Sequence, residues 1–354
     1  MTSTVDPAAA PAPGPATATG PATATGPAPT TGPVTTVAVG ESTAAAMPHT
    51  NQCATTVEEA VAAMAAGARP VAGGTDLVVG ARHGKAPLPT SLVGIHRLAE
   101  LAGVGPLSTL GGGTEGLRLG ALATHAEIAA HPAVRARWTG LADASAIVGS
   151  PATRANGTLG GNVMNASPAM DTGAPLLCHD ALAVLHGPRQ VRRVPLDELW
   201  TRPGGLSAAP DELLVAVELP EPVGGAGVTT GSAYVRLQYR RQMEIAVVGA
   251  AAVVTLAAGE VVRARIAITA LAPTVRRTPT AEAALVGTDG GPAAVRAAAR
   301  LAAEAARPIS DVRGSATYRR AMAAVVARRA LVTAITRAAG GDVPVPASDT
   351  TFGS

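Results

Sequence analysis

The sequence predicts an α+β fold, and three features carry that prediction. Helix-start signals recur through the first two thirds of the chain, interleaved with short apolar runs of strand length. Two glycine-rich segments, Ala72-Gly73-Gly74-Thr75-Asp76-Leu77 and Thr158-Leu159-Gly160-Gly161-Asn162, interrupt that pattern. Beyond a Gly/Pro-rich stretch at 222–231, three strand-like runs precede two long Ala-rich helices, the order of a separate α+β domain.

Residues 1–50 repeat Gly-Pro-Ala-Thr-Ala-Thr at 14–19 and 20–25, with Asp6 and Glu41 as their only charges. Proline and glycine at this density leave too few large apolar groups to offset the entropy of ordering, so the segment reads as a disordered extension. It has no basic start and no leucine-rich stretch, so no secretory signal is predicted. Order begins at Thr56-Val57-Glu58-Glu59, which fits a capping box. Val57, Val61 and Met64 then share one helical face, and Gly67 supplies the stop. Pro70-Val71-Ala72 reads as a strand running into the first glycine segment; 77–80 continues after it and 91–95 is a further strand.

Leu117-Arg118-Leu119-Gly120-Ala121-Leu122 alternates as a half-buried strand, and Thr124-His125-Ala126-Glu127 opens a second capping-box helix. A helix over 133–147 is ended by Gly149-Ser150-Pro151. Strands are expected at 176–185, 213–219, 233–237, 245–256 and 261–270, and helices near 291–306 and 315–338. Residues 339–354 read as a tail.

Composition excludes several functions. The net charge of +3 comes from 28 Lys+Arg against 25 Asp+Glu without a dense basic block, and aromatics are only 2 %, which argues against nucleic-acid binding. Arg319-Arg320 and Arg328-Arg329 read as solvated helix faces. Cys53 and Cys178 stand alone, so the chain by itself cannot hold an iron–sulfur cluster or structural zinc, and they fit a reducing, cytoplasmic setting. The longest apolar run, 245–258, is shorter than the roughly 18–20 residues of a membrane span.

Adjacent glycines beside a hydroxyl and a short polar side chain suit a backbone that approaches a phosphate and points N–H groups at it. Neither segment is G-x-G-x-x-G, and no G-K-[ST] occurs. Taken singly, each fits a tight turn between strands equally well. The flanks decide further. Arg69-Pro-Val-Ala-Gly-Gly-Thr-Asp-Leu77 resembles the first flavin motif of the FAD-binding medium subunits of molybdenum hydroxylases, the xanthine dehydrogenase and carbon monoxide dehydrogenase type. Ile147-Val-Gly-Ser-Pro-Ala-Thr-Arg-Ala-Asn-Gly-Thr-Leu-Gly-Gly-Asn162, continuing through Asp171, resembles the second. Pro308-Ile-Ser-Asp-Val-Arg-Gly-Ser-Ala-Thr-Tyr-Arg-Arg320 resembles their C-terminal signature.

The resemblance implies a two-subdomain FAD-binding PCMH-type domain over 51–225, divided near 110, followed by a C-terminal domain of antiparallel sheet and helix bundle over 232–338. It places FAD against Val71, Ala72, Gly73, Gly74, Thr75, Asp76 and Leu77 on one side and Thr158, Gly160, Gly161 and Asn162 on the other. Val148 falls beside the flavin ring, Asp171 on a family acid that hydrogen-bonds FAD, and Leu213 (or Leu214) and Arg236 near two further contacts. By residue chemistry alone, Asp171 also fits a turn or N-cap acid, Arg236 a surface strand and Asn162 a turn closed by its side chain. The implied function is electron transfer from [2Fe–2S] clusters of a small partner subunit, through FAD, to an external acceptor. The molybdenum cofactor would sit on a large subunit, in a complex that is a possible dimer of heterotrimers. A stand-alone flavin oxidase or reductase and a flavin-free assembly subunit are the alternatives.

Overall fold

Thr56 caps the first helix: its hydroxyl accepts the Glu59 N–H at 3.2 Å, while the Glu59 carboxylate reaches past it to the N–H and hydroxyl of Thr55. The capping box read at this position is therefore completed one residue early. The computed structural model describes residues 50–351 apart from 85 and 108–114; the extension before Thr50 and the chain end from 352 lie outside the described residues. The first helix, α1 (Val57–Ala65), stands between β1 (Thr50–Cys53) and β2 (Arg69–Val71). Val57, Val61 and Met64 are buried as their spacing requires, and Gly67 ends the helix at φ +92°. The chain turns through the first glycine segment into α2 (Leu77–Arg82), so 77–80 is helical, and returns as β3 (Ser91–Gly94). β3 lies between β1 and β2, parallel to both.

A second, antiparallel sheet follows. Its members are β4 (Val104–Pro106), β5 (Gly116–Gly120), β6 (Leu182–His186), β7 (Val191–Pro195) and, after the small hairpin β8 (Trp200–Arg202) and β9 (Gly205–Leu206), β10 (Leu213–Pro220), in the order β4-β5-β10-β6-β7. Helices α3 (His125–Ala130), α4 (Pro132–Arg137), α5 (Thr139–Ala146), α6 (Pro151–Asn156), α7 (Leu159–Asn165) and α8 (Gly173–Cys178) fill the interval between β5 and β6, and α9 (Leu196–Leu199) follows β7. Thr124 forms the reciprocal box: its hydroxyl accepts from Glu127 N at 3.2 Å and its N–H donates to the Glu127 carboxylate at 2.8 Å.

Two expectations change here. The helix read over 133–147 is split at Trp138, whose buried indole donates to the Pro220 carbonyl at 3.3 Å; a long-range anchor overrides helical continuity. The run at 176–185 is not one strand. Leu176 to Cys178 finish α8, and Asp180, at φ +52°, turns the chain into β6. Both parts are buried, so neither shows the polar alternation that would tell helix from strand.

The C-terminal half is a four-stranded antiparallel sheet, β11 (Val228–Leu237), β12 (Val248–Ala257), β13 (Glu260–Thr269) and β14 (Arg276–Arg277), followed by α10 (Pro279–Ala283), α11 (Pro292–Glu304) and α12 (Ala316–Ala338). β11 pairs with β12 from Val228 onward, which shortens the Gly/Pro-rich linker read at 222–231. β12 is apolar on both faces because both are covered. Ala251 and Val253 join the core of the N-terminal half, while Ala250, Ala252 and Val254 pack with α11 and α12. Glycine lets α12 sit close to β11: a Cβ on Gly231 would lie 2.3 Å from the Ala334 carbonyl oxygen.

Residues 339–351 do not trail away as a tail. Arg337 donates to the carbonyls of Val343 and Pro344, Ala347 is fully buried, and the Ser348 hydroxyl accepts the N–H of Arg236, bringing α13 (Ala347–Thr351) against β11. Arg319, expected on a solvated face, is buried and reaches the Asp311 carboxylate at 3.2 Å and the Ile309 carbonyl, while Arg320 stays exposed.

Candidate functional site

The two glycine segments meet. Gly73 packs so tightly on the chain before the second segment that a Cβ there would lie 1.8 Å from the Asn156 carbonyl oxygen. Gly74 turns at φ +67°, a conformation that disfavours side chains. Between β2 and α2, the N–H groups of Gly73, Gly74 and Thr75 donate to no other described residue. Beside them opens a cleft of about 930 Å³. All of Val71 to Leu77 lines it, with Val148, Gly149, Thr158, Gly161, Asn162 and Asp171, and residues 206, 208–210, 212, 240 and 243–245 supply further parts of its lining.

On the second side, Thr158 caps α7, its hydroxyl oxygen accepting the Gly161 N–H at 3.1 Å, so its O–H is left to donate onward. The Asn162 carbonyl oxygen accepts from the Thr172 hydroxyl at 2.6 Å, which leaves its amide N–H groups for the cleft. Arg154 donates to the Val148 carbonyl at 3.0 Å and fixes that strip of wall.

Asp171 is buried and already engaged: one oxygen accepts from the Tyr234 hydroxyl and the other from Arg236 Nη1, each at 2.7 Å. Burial pushes its carboxyl upward, and the Arg236 charge opposes that. Arg236 is only 1 % exposed and also donates to the carbonyls of Ile147 and Glu244, so the surface-strand reading of Arg236 fails. Twelve of the fifteen residues expected at the site therefore line one cleft, and Gly160, Leu213 and Arg236 stand behind its wall. Gly160 faces inward, where a Cβ would come 2.7 Å from the Ala121 carbonyl oxygen. Leu213 is in β10, paired with His186, while its neighbour Glu212 reaches the cleft and is clamped by Arg192 at 2.6 and 2.7 Å.

Sequence reasoning missed His125, Met243 and Glu244 as cleft residues. In the sequence His125 stands out only as part of a capping box. Met243 reaches the site through a turn at φ +54° whose N–H donates to the Gly149 carbonyl at 3.0 Å, a contact with no local signature.

Comparison with known proteins decides what the cleft belongs to. Residues 48–222 match the family model of the FAD binding domain in molybdopterin dehydrogenase, and residues 233–334 that of the CO dehydrogenase flavoprotein C-terminal domain. The carbon monoxide dehydrogenase medium chain of Hydrogenophaga pseudoflava is 33% identical over 251 residues, 71% of this chain and 84% of that one. The chain belongs to this FAD-binding medium-subunit family.

A putative xanthine dehydrogenase FAD-binding subunit of Escherichia coli is 34% identical over 216 residues, covering 61% of this medium subunit and 70% of the relative. A solved Cu,Mo-CO dehydrogenase chain superimposes with a TM-score of 0.76 at 31% identity, covering 82% of this subunit and 99% of that chain. The mixed fold with antiparallel sheets matches, and the subunit is a FAD-binding component of an oxidoreductase. The cleft fits that cofactor: it has the volume of a large-ligand site, unclaimed backbone donors at a glycine turn and an apolar strip at Val148. No helix among the described residues is long and apolar enough to cross a membrane.

Two buried imidazoles make the FAD-free chain acid-sensitive. Burial, reinforced by the Arg154 charge, lowers His125 from 6.5 to about 4, and burial, reinforced by Arg263, lowers His179 from 6.5 to about 3. The unfolded chain thus takes up protons first. Their contribution to stability is whole above pH 6.5 and lost as pH falls toward 4 and 3. The loss reaches several kcal/mol, at about 1.4 kcal/mol for each pH unit between folded and unfolded affinities. Urea unfolding at stepped pH checks this; a flat free energy across that window contradicts it.

Proposed function

We propose that this chain is the electron-transferring FAD subunit of a cytoplasmic heteromeric molybdenum hydroxylase. Electrons leave a molybdenum site on a large partner subunit, cross [2Fe–2S] clusters on a small one, and pass through this subunit to an external acceptor. The observation that carries the proposal is the convergence of both glycine segments on one cleft in a chain of this family. With only Cys53 and Cys178, widely separated, the chain supplies no cluster ligands, so a cluster must come from elsewhere.

When bound, FAD supplies a ring that takes electrons singly and delivers them in pairs. The residues of this chain bind and orient. The N–H groups of Gly73, Gly74 and Thr75 would meet the diphosphate from one side, and the Thr158 hydroxyl and Asn162 amide from the other. Val148 would give the ring an apolar contact. Arg236 acts from behind, holding Asp171 and the Ile147 carbonyl so that these two parts of the second wall keep their register. The relatives' names point to carbon monoxide, xanthine and nicotine as substrates of such complexes, so substrate choice belongs to the large partner.

Purification of the chain with its native partners tests this. Flavin, molybdenum and iron are expected together, with flavin bleaching when a substrate of the large subunit is added anaerobically. A chain that purifies alone and neither contains nor takes up FAD, or a complex without a cluster-bearing subunit, overturns it.

A further inference from the structure

We propose that His125 is an additional contact to the FAD diphosphate, and that FAD binding is thereby linked to the uptake of one proton from solvent. The inference rests on the FAD reading of the cleft. His125 opens α3 and is only 2 % exposed, yet it lines the cleft. Its backbone N–H is tied to the Gly157 carbonyl at 3.1 Å, which seats the residue beside the second glycine segment. A Cβ placed on Gly157 would have the imidazole Cδ2 and the Thr75 hydroxyl oxygen each 3.4 Å away. The ring edge therefore reaches the junction of the two segments, on the side of the Thr75 hydroxyl.

On its far side, Nδ1 is buried with no hydrogen-bond partner among the described residues. With no protein partner on Nδ1, no bond holds the proton on that nitrogen, and Nε2 is left to carry it. Nε2, beside Cδ2 in the ring, is the nitrogen placed to donate toward an anion at that junction.

The charges around the ring are few. Helices α4, α5 and α6 pack on α3 and bring Arg135 and Arg137, Asp143, and Arg154 respectively. Asp143 is engaged by Arg337, and Glu127, on α3 itself, by Thr124. Asp76 stands in the facing glycine segment. Arg154 acts on the ring by repulsion and donates only to the carbonyls of Val148 and Gly149, with no carboxylate among its partners in the described residues. Without ligand, burial and Arg154 keep the imidazole neutral. A diphosphate adds two negative charges at the same junction and favours the imidazolium. The bound state then holds the proton more tightly than the free state, so FAD affinity rises as pH falls. No covalent bond forms or breaks.

The test is FAD titration of the full-length apoprotein by fluorescence quenching, with calorimetry in two buffers of different ionisation enthalpy. The wild type is expected to bind about tenfold more tightly near pH 6 than near pH 8, with proton uptake. His125→Gln is expected to lose that dependence. His83→Gln, at another cleft imidazole, is expected to keep it. Wild-type binding without proton uptake, or a His125→Gln variant that retains the slope, overturns the inference and leaves the FAD reading intact. The wild-type calorimetry decides even where a variant is unstable. No FAD binding at any pH overturns both.

Discussion

Gly73→Ala is expected to destabilise the subunit by about 3 kcal/mol and to weaken FAD binding by about tenfold or more. The cause is a backbone collision: the new methyl would begin 1.8 Å from the Asn156 carbonyl oxygen, and no side-chain rotation relieves it. Either β2 or the end of α6 must move. Because Gly73 carries one of the unclaimed N–H groups and Asn156 precedes Gly157 and Thr158, the displacement separates the two donor sets that face each other across the cleft.

Gly74→Ala is the informative comparison. There the nearest atom to a new Cβ is Val78 Cγ2 at 3.4 Å, an ordinary contact, and the cost is the left-handed backbone at φ +67°, about 1–2 kcal/mol. Denaturant midpoints and FAD titrations on both variants check the ordering. Equal effects at the two positions would show that backbone conformation, not the approach of the two segments, makes glycine necessary.

This difference between neighbouring glycines shows what was legible in the sequence and what was not. Local chemistry was legible: Thr56 and Thr124 cap helices through bonds spanning three or four residues, and Gly67 stops one. The two glycine segments, which line one cleft, could be read together because their flanking motifs are themselves local. The reason for each glycine was not. Gly73 and Gly160 are small because distant backbone, at Asn156 and Ala121, leaves no room, while Gly74 is small because of its own φ. Arg236 shows the same limit. Its burial behind the cleft wall depends on Asp171, Ile147 and Glu244, which lie in separate stretches of the chain. Apolar runs misled where burial was complete, as at Leu176 to Cys178, because a fully covered segment carries no periodicity.

Asp143→Ala is expected to cost about 3–5 kcal/mol, among the largest losses available to a single side chain in this fold. Asp143 is completely buried on α5, and its carboxylate accepts four hydrogen bonds. Arg337 grips both oxygens, at 2.6 and 3.0 Å, across 194 residues of chain, and the N–H groups of Tyr234 and Ala347 add bonds of 3.1 and 2.9 Å. Burial pushes the carboxyl upward, while these four donors favour its ionised form. Truncation leaves the Arg337 charge, itself only 7% exposed, with carbonyl partners alone and strips the acceptor from two buried N–H groups. It also unties three elements at once: α5, β11 that carries Tyr234 and Arg236, and α13 that closes on β11. Asp143→Asn keeps the shape but removes the charge and turns one acceptor oxygen into an amide nitrogen that faces two donors, so it too should lose most of the stabilisation. Unfolding midpoints give the magnitude, and limited proteolysis within residues 339–351 gives the place. If α13 stays as protected in Asp143→Ala as in the wild type, the carboxylate is not what holds the chain end against the sheet.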